Sequence, residues 1–163
     1  MKLEELKNKN ILIVSHTFVK GASQELEDFL VNLKVKDLVF IGHPFAYCEK
    51  TSSFIKRYKK GELVFEKTAT AWKLPLLLLY LKDVFCTLWW ALGSRLKFDI
   101  MFGVDNLNAF SCLILKLLNR GSRVSYYTID HVPVRFNNKI LNRTYHLLDH
   151  FCVKKADTVW NLS

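Results

Sequence analysis

A Rossmann-like, doubly wound α/β domain, with a mostly parallel six-stranded sheet and helices on both faces, is the fold this sequence predicts. Three observations lead there. Apolar runs of strand length recur along the 163 residues, and longer segments with helical periodicity separate them. Half of the residues are hydrophobic and only six are Gly and three Pro, so one compact domain spanning 1–163 accounts for the chain. Disorder and low complexity are excluded by the same figures. A domain this long buries about 68–70% of its unfolded surface, so it needs no disulfide or metal to stay folded.

Each element follows in order. Ile11–Ser15 (ILIVS) is a continuous buried-strand run. Ser23 opens an amphipathic helix with Leu26, Phe29, Leu30 and Leu33 on one face, and DLVFIG from Asp37 is the second strand. The basic stretch that follows reads as a loop, ahead of a short third strand at Leu63–Phe65. Pro75 marks the first turn of the longest helix, which runs to Lys97. Asp99–Gly103 is strand four, Asn106–Asn119 a helix closed by Gly121, and Arg123–Thr128 strand five. A helix over Lys139–Lys155 buries Leu141, Tyr145, Leu148 and Cys152, and Thr158–Leu162 is strand six. With no helix after it, that strand is either a plain sheet edge or a junction to a second domain or partner.

The net charge is +9 and unevenly spread. Between Lys50 and Lys73, seven cations (Lys50, Lys56, Arg57, Lys59, Lys60, Lys67 and Lys73) face only Glu62 and Glu66. Such a patch suits an anionic partner: a phosphorylated substrate, an anionic lipid surface or a nucleic acid. Cys48, Cys86, Cys112 and Cys152 lie in or beside apolar runs with no C-x-x-C pair, which reads as buried reduced thiols in a cytoplasmic protein. The N-terminus, MKLEELKNKN, lacks the apolar run of a signal peptide.

Leu74–Leu92 has fifteen apolar residues in nineteen, close to the composition of a membrane span. Lys82 and Asp83 at its middle cost about 2.5–3.5 kcal/mol each on insertion, against about 0.3–0.6 returned per Leu, so a non-spanning helix is expected. Leu74, Leu77, Leu78, Leu81, Phe85, Leu88 and Leu92 form a core stripe, and Leu76, Leu79, Trp89 and Trp90 extend the apolar surface beyond it. That second surface packs against another domain or lies on a bilayer, aided by Lys56, Arg57, Lys59, Lys60 and Lys73.

Candidate site residues gather at the carboxyl ends of the strands, where open α/β sheets bind ligands. Strand one delivers His16 and Thr17, strand two His43, strand four Asp105 and Asn106, and strand five Asp130, His131 and Arg135. Asp130 beside His131 suits proton transfer or the orienting of a hydroxyl, or the pair simply lies in a solvated loop. Asp105 either caps the next helix or reaches the crevice. Gly21, Ala22 and Ser23 open the first helix, where backbone N–H groups meet an anion or Ser23 merely caps. His146 and His150, spaced i, i+4, lack a third ligand, so an exposed polar face is expected and no metal site. P-loop, D-x-D and G-x-S-x-G patterns are absent.

Taken together, ILIVSHTFVKGASQELEDFL, FDIMFGVDNLNAF, VSYYTIDHVPVRF and the closing HLLDHFCVKKADTVWNLS resemble the N-terminal, acceptor-side domain of GT-B glycosyltransferases, especially the family 4-like group. Ala156–Ser163 looks like that group's A-D-x-V-x-x-x-S element. The resemblance implies metal-independent transfer of a sugar from a nucleotide-sugar donor to an acceptor, including lipid-linked or membrane-surface acceptors, with no cofactor. It places Gly21, Ala22 and Ser23 near the donor phosphates and either Asp130 or His131 beside the transferred sugar. It also implies a donor-binding domain outside these residues, so the chain alone is not expected to catalyse transfer. Location is expected in the cytoplasm, peripheral on the inner face of the membrane. The alternatives are a non-catalytic Rossmann- or flavodoxin-like binding module and a membrane-associated subunit of a split transferase. Nucleic-acid binding rests on charge alone, with Phe54, Tyr58 and Phe65 near the basic patch for stacking.

Overall fold

The computed structural model describes residues 3–17, 21–45, 52–70, 74–128 and 133–161. Its elements are α1 (Leu3–Leu6), β1 (Asn10–Thr17), α2 (Ala22–Asn32), β2 (Asp37–Pro44), β3 (Phe54–Lys59), β4 (Glu62–Thr68), α3 (Leu76–Gly93), β5 (Phe98–Val104), α4 (Asn106–Leu117), β6 (Gly121–Thr128), α5 (Lys139–Lys155) and β7 (Thr158–Asn161). They form one seven-stranded sheet in the order β4-β3-β2-β1-β5-β6-β7. β2, β1, β5, β6 and β7 run parallel, while β3 and β4 add an antiparallel hairpin at one edge. Counted along the chain, the parallel strands lie in the order 2-1-3-4-5 of flavodoxin-like doubly wound sheets.

Two buried clusters fill the two faces. On one, Ile11, Ile13, Leu38, Phe40, Ile100 and Phe102 meet Leu30 and Leu26 of α2. On the other, Leu12, Val14, Val39, Met101, Val124 and Tyr126 meet Ala91 of α3, Ala109, Cys112 and Leu115 of α4, and Cys152 of α5. Alternate residues of β1 thus enter opposite cores, which is why ILIVS reads as an unbroken apolar run. In α2, Leu30 is buried as expected, but Phe29 is exposed and Glu27 is buried instead. Glu27 is held there by the Tyr58 hydroxyl at 2.7 Å.

The expected six strands are seven, because the basic stretch is a hairpin and not a loop. Lys60 (φ 51°) and Gly61 (φ 87°) form its two-residue turn, both in the left-handed backbone region that such turns require. Ile55 joins the core, and Phe54 covers Gly42 so closely that a Cβ there would come within 2.3 Å of the ring. Lys56 and Arg57 are anchored by Glu27 and Asp37, the Arg57–Asp37 pair closing at 2.7 Å. The strand's alternation is hidden in the sequence because its interleaved positions are charged rather than small and polar.

The longest helix differs from expectation in its rotation. Asp83, Thr87 and Ala91, spaced i, i+4, i+8, are its buried residues. Leu77, Leu78, Leu81 and Phe85, expected in the core stripe, are exposed, as is Trp89. Only Leu88, Trp90 and Leu92 of the apolar set pack against the core. The physical reason is that β2 presents a buried histidine beneath the helix, and only the Asp83/Thr87 side satisfies it. Among the described residues this is the one helix long and apolar enough to cross a membrane by length and composition.

Candidate functional site

In a doubly wound sheet a ligand crevice opens where neighbouring strands send their connections to opposite faces. Here that point lies between β1, which leads to α2 on one face, and β5, which leads to α4 on the other. Gly103, next to the carboxyl end of β5, lets α4 close in: a Cβ there would stand 2.3 Å from the Ala109 backbone. With α3 and α5 as further walls, this edge holds a cavity of about 340 Å³. Most of its lining is apolar or aromatic, including Leu77, Leu81, Phe110, Phe136 and Tyr145; His16, Asp105, Asn106 and Arg135 bring polar groups to it. Few polar groups in an apolar cavity of this size are the usual make-up of a small-molecule site.

Asp105 is distinctive. Its backbone (φ 70°, ψ 161°) occupies a region open essentially to glycine alone, at a strain of about 1–3 kcal/mol. It stands at the N-cap of α4 but makes no side-chain capping hydrogen bond, so capping does not explain it. Arg135 is held by a neighbouring clasp: Asn142 Oδ1 accepts from the amides of Arg135 and Phe136 at 2.8 and 3.2 Å. The same Asn142 donates to the Pro133 carbonyl at 3.2 Å, and His146 Nε2 donates to it at 2.9 Å. The rings of Tyr80, Phe136 and Tyr145 meet edge to face along this segment. Among the described residues no cluster of His, Cys, Asp and Glu suits a metal ion.

Behind the cavity lies a buried polar network that the sequence did not reveal. Asp83 accepts from His16 Nε2 at 3.4 Å, His43 Nδ1 at 3.3 Å, the Ser53 hydroxyl at 3.3 Å and the Lys82 ammonium at 2.8 Å. His43 also contacts Ser53 Oγ at 2.9 Å, and its Nε2 meets the Thr87 hydroxyl at 2.8 Å. Asn108 donates one amide hydrogen to the Val104 carbonyl at 2.5 Å and the other to His16 Nδ1 at 3.0 Å. The Val104 bond fixes the Asn108 amide, so Nδ1 of His16 is the acceptor and Nε2 carries the hydrogen. Both ring nitrogens of His16 and of His43 are therefore engaged inside the protein.

Burial is the largest influence on His43 and lowers its imidazole below the ordinary value, although Asp83 pulls the other way. Burial alone would raise the Asp83 carboxyl, but hydrogen bonds from His16 and His43, with Lys82 alongside, outweigh it and hold the group well below the usual carboxylate range. A central carboxylate thus ties α3 to β1, β2 and the segment before β3.

Four of the anticipated residues, His16, Asp105, Asn106 and Arg135, line the same cavity. Asn106 also donates to the Tyr145 carbonyl at 3.2 Å, fastening α4 to α5. His43 lies fully buried behind them, and Thr17, at the end of β1, is not on the cavity wall. Gly21 is the N-cap of α2, and its amide donates to Gln24 Oε1 at 3.0 Å; Ser23 is buried and donates to the same oxygen, so it is not the cap. Ala22 opens the helix. In the basic patch Lys56 and Arg57 are paired internally, Lys59 and Lys60 are exposed, and Lys73 lies outside the described residues. Trp89 faces outward, whereas Trp90 leans on the core. Asp130 and His131 lie outside the described residues, as does Cys48. Cys112 and Cys152 are buried thiols as anticipated, and Cys86 is half-buried. The one sequence signal for the missed network was an adjacent Lys82–Asp83 inside an apolar helix, with Thr87 one turn on.

No family model matches this chain, and no curated protein matches it. Among solved structures, the catalytic domain of starch synthase IV from Arabidopsis thaliana, bound to ADP and acarbose, matches with a TM-score of 0.48 at 12% identity over 76% of this chain. The chain spans 34% of that one. At that score and identity the likeness says nothing about activity.

Proposed function

We propose that this chain is the acceptor-side domain of a GT-B-type glycosyltransferase, with the acceptor seated in the cavity between β1 and β5. The observation that carries the reading is the convergence of His16, Asp105 and Arg135 from separate segments on one apolar cavity at the switch point of the sheet. An acceptor with an apolar portion fills the aromatic walls, Arg135 meets an anionic group such as a phosphate, and the Asp105 carboxylate orients the hydroxyl that attacks the sugar. Asp130 or His131 stands beside the transferred sugar in this reading. Donor binding belongs to a second Rossmann-like domain outside these 163 residues, with the start of α2 at Ala22 toward the donor phosphates; Ser23, buried and bonded to Gln24, is not part of that contact.

The test is a titration of the chain with n-alkyl β-glucosides of increasing chain length, followed by NMR. Affinity is expected to climb several-fold per added methylene, in line with about 0.8 kcal/mol per buried CH₂, until the cavity is filled. Thr144→Trp, which occupies the cavity from the exposed side of α5, is expected to abolish it. Chain-length-independent binding, or unchanged binding by Thr144→Trp, overturns the proposal.

One observation favours a second reading. His16 and His43 have no ring nitrogen left for a substrate, so neither can act as a base unless Asn108 or Thr87 lets go. A binding module without catalysis is consistent with that. Transfer by the chain joined to a donor-binding domain decides between the two: loss of turnover with retained binding in Asp105→Asn supports the enzyme, and no turnover in any joined form supports the module.

A further inference from the structure

The outward face of α3 is apolar and exposed along most of its length. Leu77, Leu81, Phe85 and Trp89 recur every four residues and are 57, 58, 63 and 67% exposed, with Phe85 and Trp89 stacked at 6.0 Å between ring centroids. An ordinary amphipathic helix places such a row inward. In this one the inward positions are taken by Asp83 and Thr87, so the apolar row faces outward as a consequence of the buried network.

We infer that this face docks on an anionic lipid bilayer, α3 lying in the plane of the interface. Charge selects that occupant. Lys59 pairs in register with Asp37, the first residue of β2, and Lys97 precedes Phe98, the first residue of β5, so the hairpin tip and the end of α3 share the amino edge of the sheet. Exposed Arg95 and Lys97 directly follow the Trp89 end of the row, with exposed Lys59 and Lys60 farther along the same edge of the sheet, and none of the four makes an ion pair among the described residues. A helix with an aromatic apolar face and flanking cations is the physical form of an interfacial anchor. At the opposite end Leu77 and Leu81 also line the cavity, so an amphiphile's chain passes from bilayer to cavity along one apolar surface. The docking surface stands independently of the reaction proposed above.

The experiment is flotation of the 163-residue chain with phosphatidylcholine vesicles, with and without phosphatidylglycerol, at low and high salt. Flotation is expected with phosphatidylglycerol at low salt and is expected to weaken as salt screens the cations. Phe85→Ser with Trp89→Ser is expected to lower partitioning about tenfold or more, because two exposed side chains lose their buried place in the interface. Arg95→Glu with Lys97→Glu, both exposed, is expected to abolish the preference for phosphatidylglycerol while leaving the urea midpoint in place. Three results overturn the inference: no flotation with phosphatidylglycerol, equal flotation by the Ser variant, or a dimer in sedimentation that the Ser variant dissolves, which would make a second copy the occupant. Failure here with intact glucoside binding leaves the cavity reading standing, and the reverse result leaves the docking surface standing.

Discussion

Replacing Asp83 with Asn tests the rotation of α3, because it keeps the side chain's shape while removing its charge. The carboxylate faces Lys82 at 2.8 Å and His16, His43 and Ser53 at 3.3–3.4 Å, with a side-chain exposure of only 3%. An Asn amide accepts through one oxygen and turns its NH₂ toward groups that are themselves donors. Removing one partner of a buried charge pair costs about 3–5 kcal/mol, since the partner charge stays buried. For a chain of this length that corresponds to a fall in Tm of about 6–20 °C. Urea denaturation with an unchanged m-value is the assay, and Leu81→Ser is the matched control. Leu81 is exposed, so its loss is expected to change stability by no more than about 0.5 kcal/mol. A loss under about 1 kcal/mol for Asp83→Asn, with a larger loss for Leu81→Ser, would refute the rotation and return the leucine row to the core.

Three other outcomes follow from the same geometry. His43 is held low by burial, so the unfolded chain takes up that proton first. Stability is therefore complete above about pH 6.5 and falls as pH drops below it, with a slope of up to about 1.4 kcal/mol per pH unit, and Asp83 adds its own loss at lower pH. Urea midpoints between pH 8 and 5 measure this, and a flat profile contradicts it. Asp105→Gly relieves the strained backbone and is expected to raise stability by about 1 kcal/mol or more while weakening glucoside binding; a destabilised variant that binds normally contradicts the functional assignment of that strain. Burial pushes the Cys152 thiol up to about 12 and raises Cys112 as well. Neither is expected to react with iodoacetamide until the chain unfolds, and mass spectrometry of the native protein showing modification there refutes their placement.

The parallel core was legible because each strand buried on both faces is written as an apolar run, and the helices α4 and α5 because of their 3.6 period, although of the expected α5 stripe only Cys152 is buried while Leu141, Tyr145 and Leu148 line the cavity. Asn138 caps α5, accepting from Ile140 and Leu141 at 2.9 and 3.2 Å, whereas α4 ends at Leu117 with Asn119 (φ 57°) in the left-handed region, and the expected stop, Gly121, instead opens β6. The hairpin was not legible, since Lys56 and Arg57 owe their positions to Glu27 and Asp37, distant in sequence. The rotation of α3 was hidden for a related reason. Hydrophobic periodicity assumes that apolar side chains outcompete polar ones for the core, and a fully buried His43 on β2 reverses that order locally. Of the site, strand-end residues were found by topology alone, whereas the aromatic walls contributed by Tyr80, Phe110, Phe136 and Tyr145 come from helix and loop positions that no strand pattern marks.

Chemical-shift mapping of an alkyl glucoside on the isotopically labelled chain tests the central claim most directly. The expected result is a set of perturbations confined to the switch point, at Leu77, Asp105, Phe110, Arg135 and Tyr145. Perturbations confined instead to the α2 face of the sheet, or none at saturating glucoside, would contradict an acceptor site between β1 and β5.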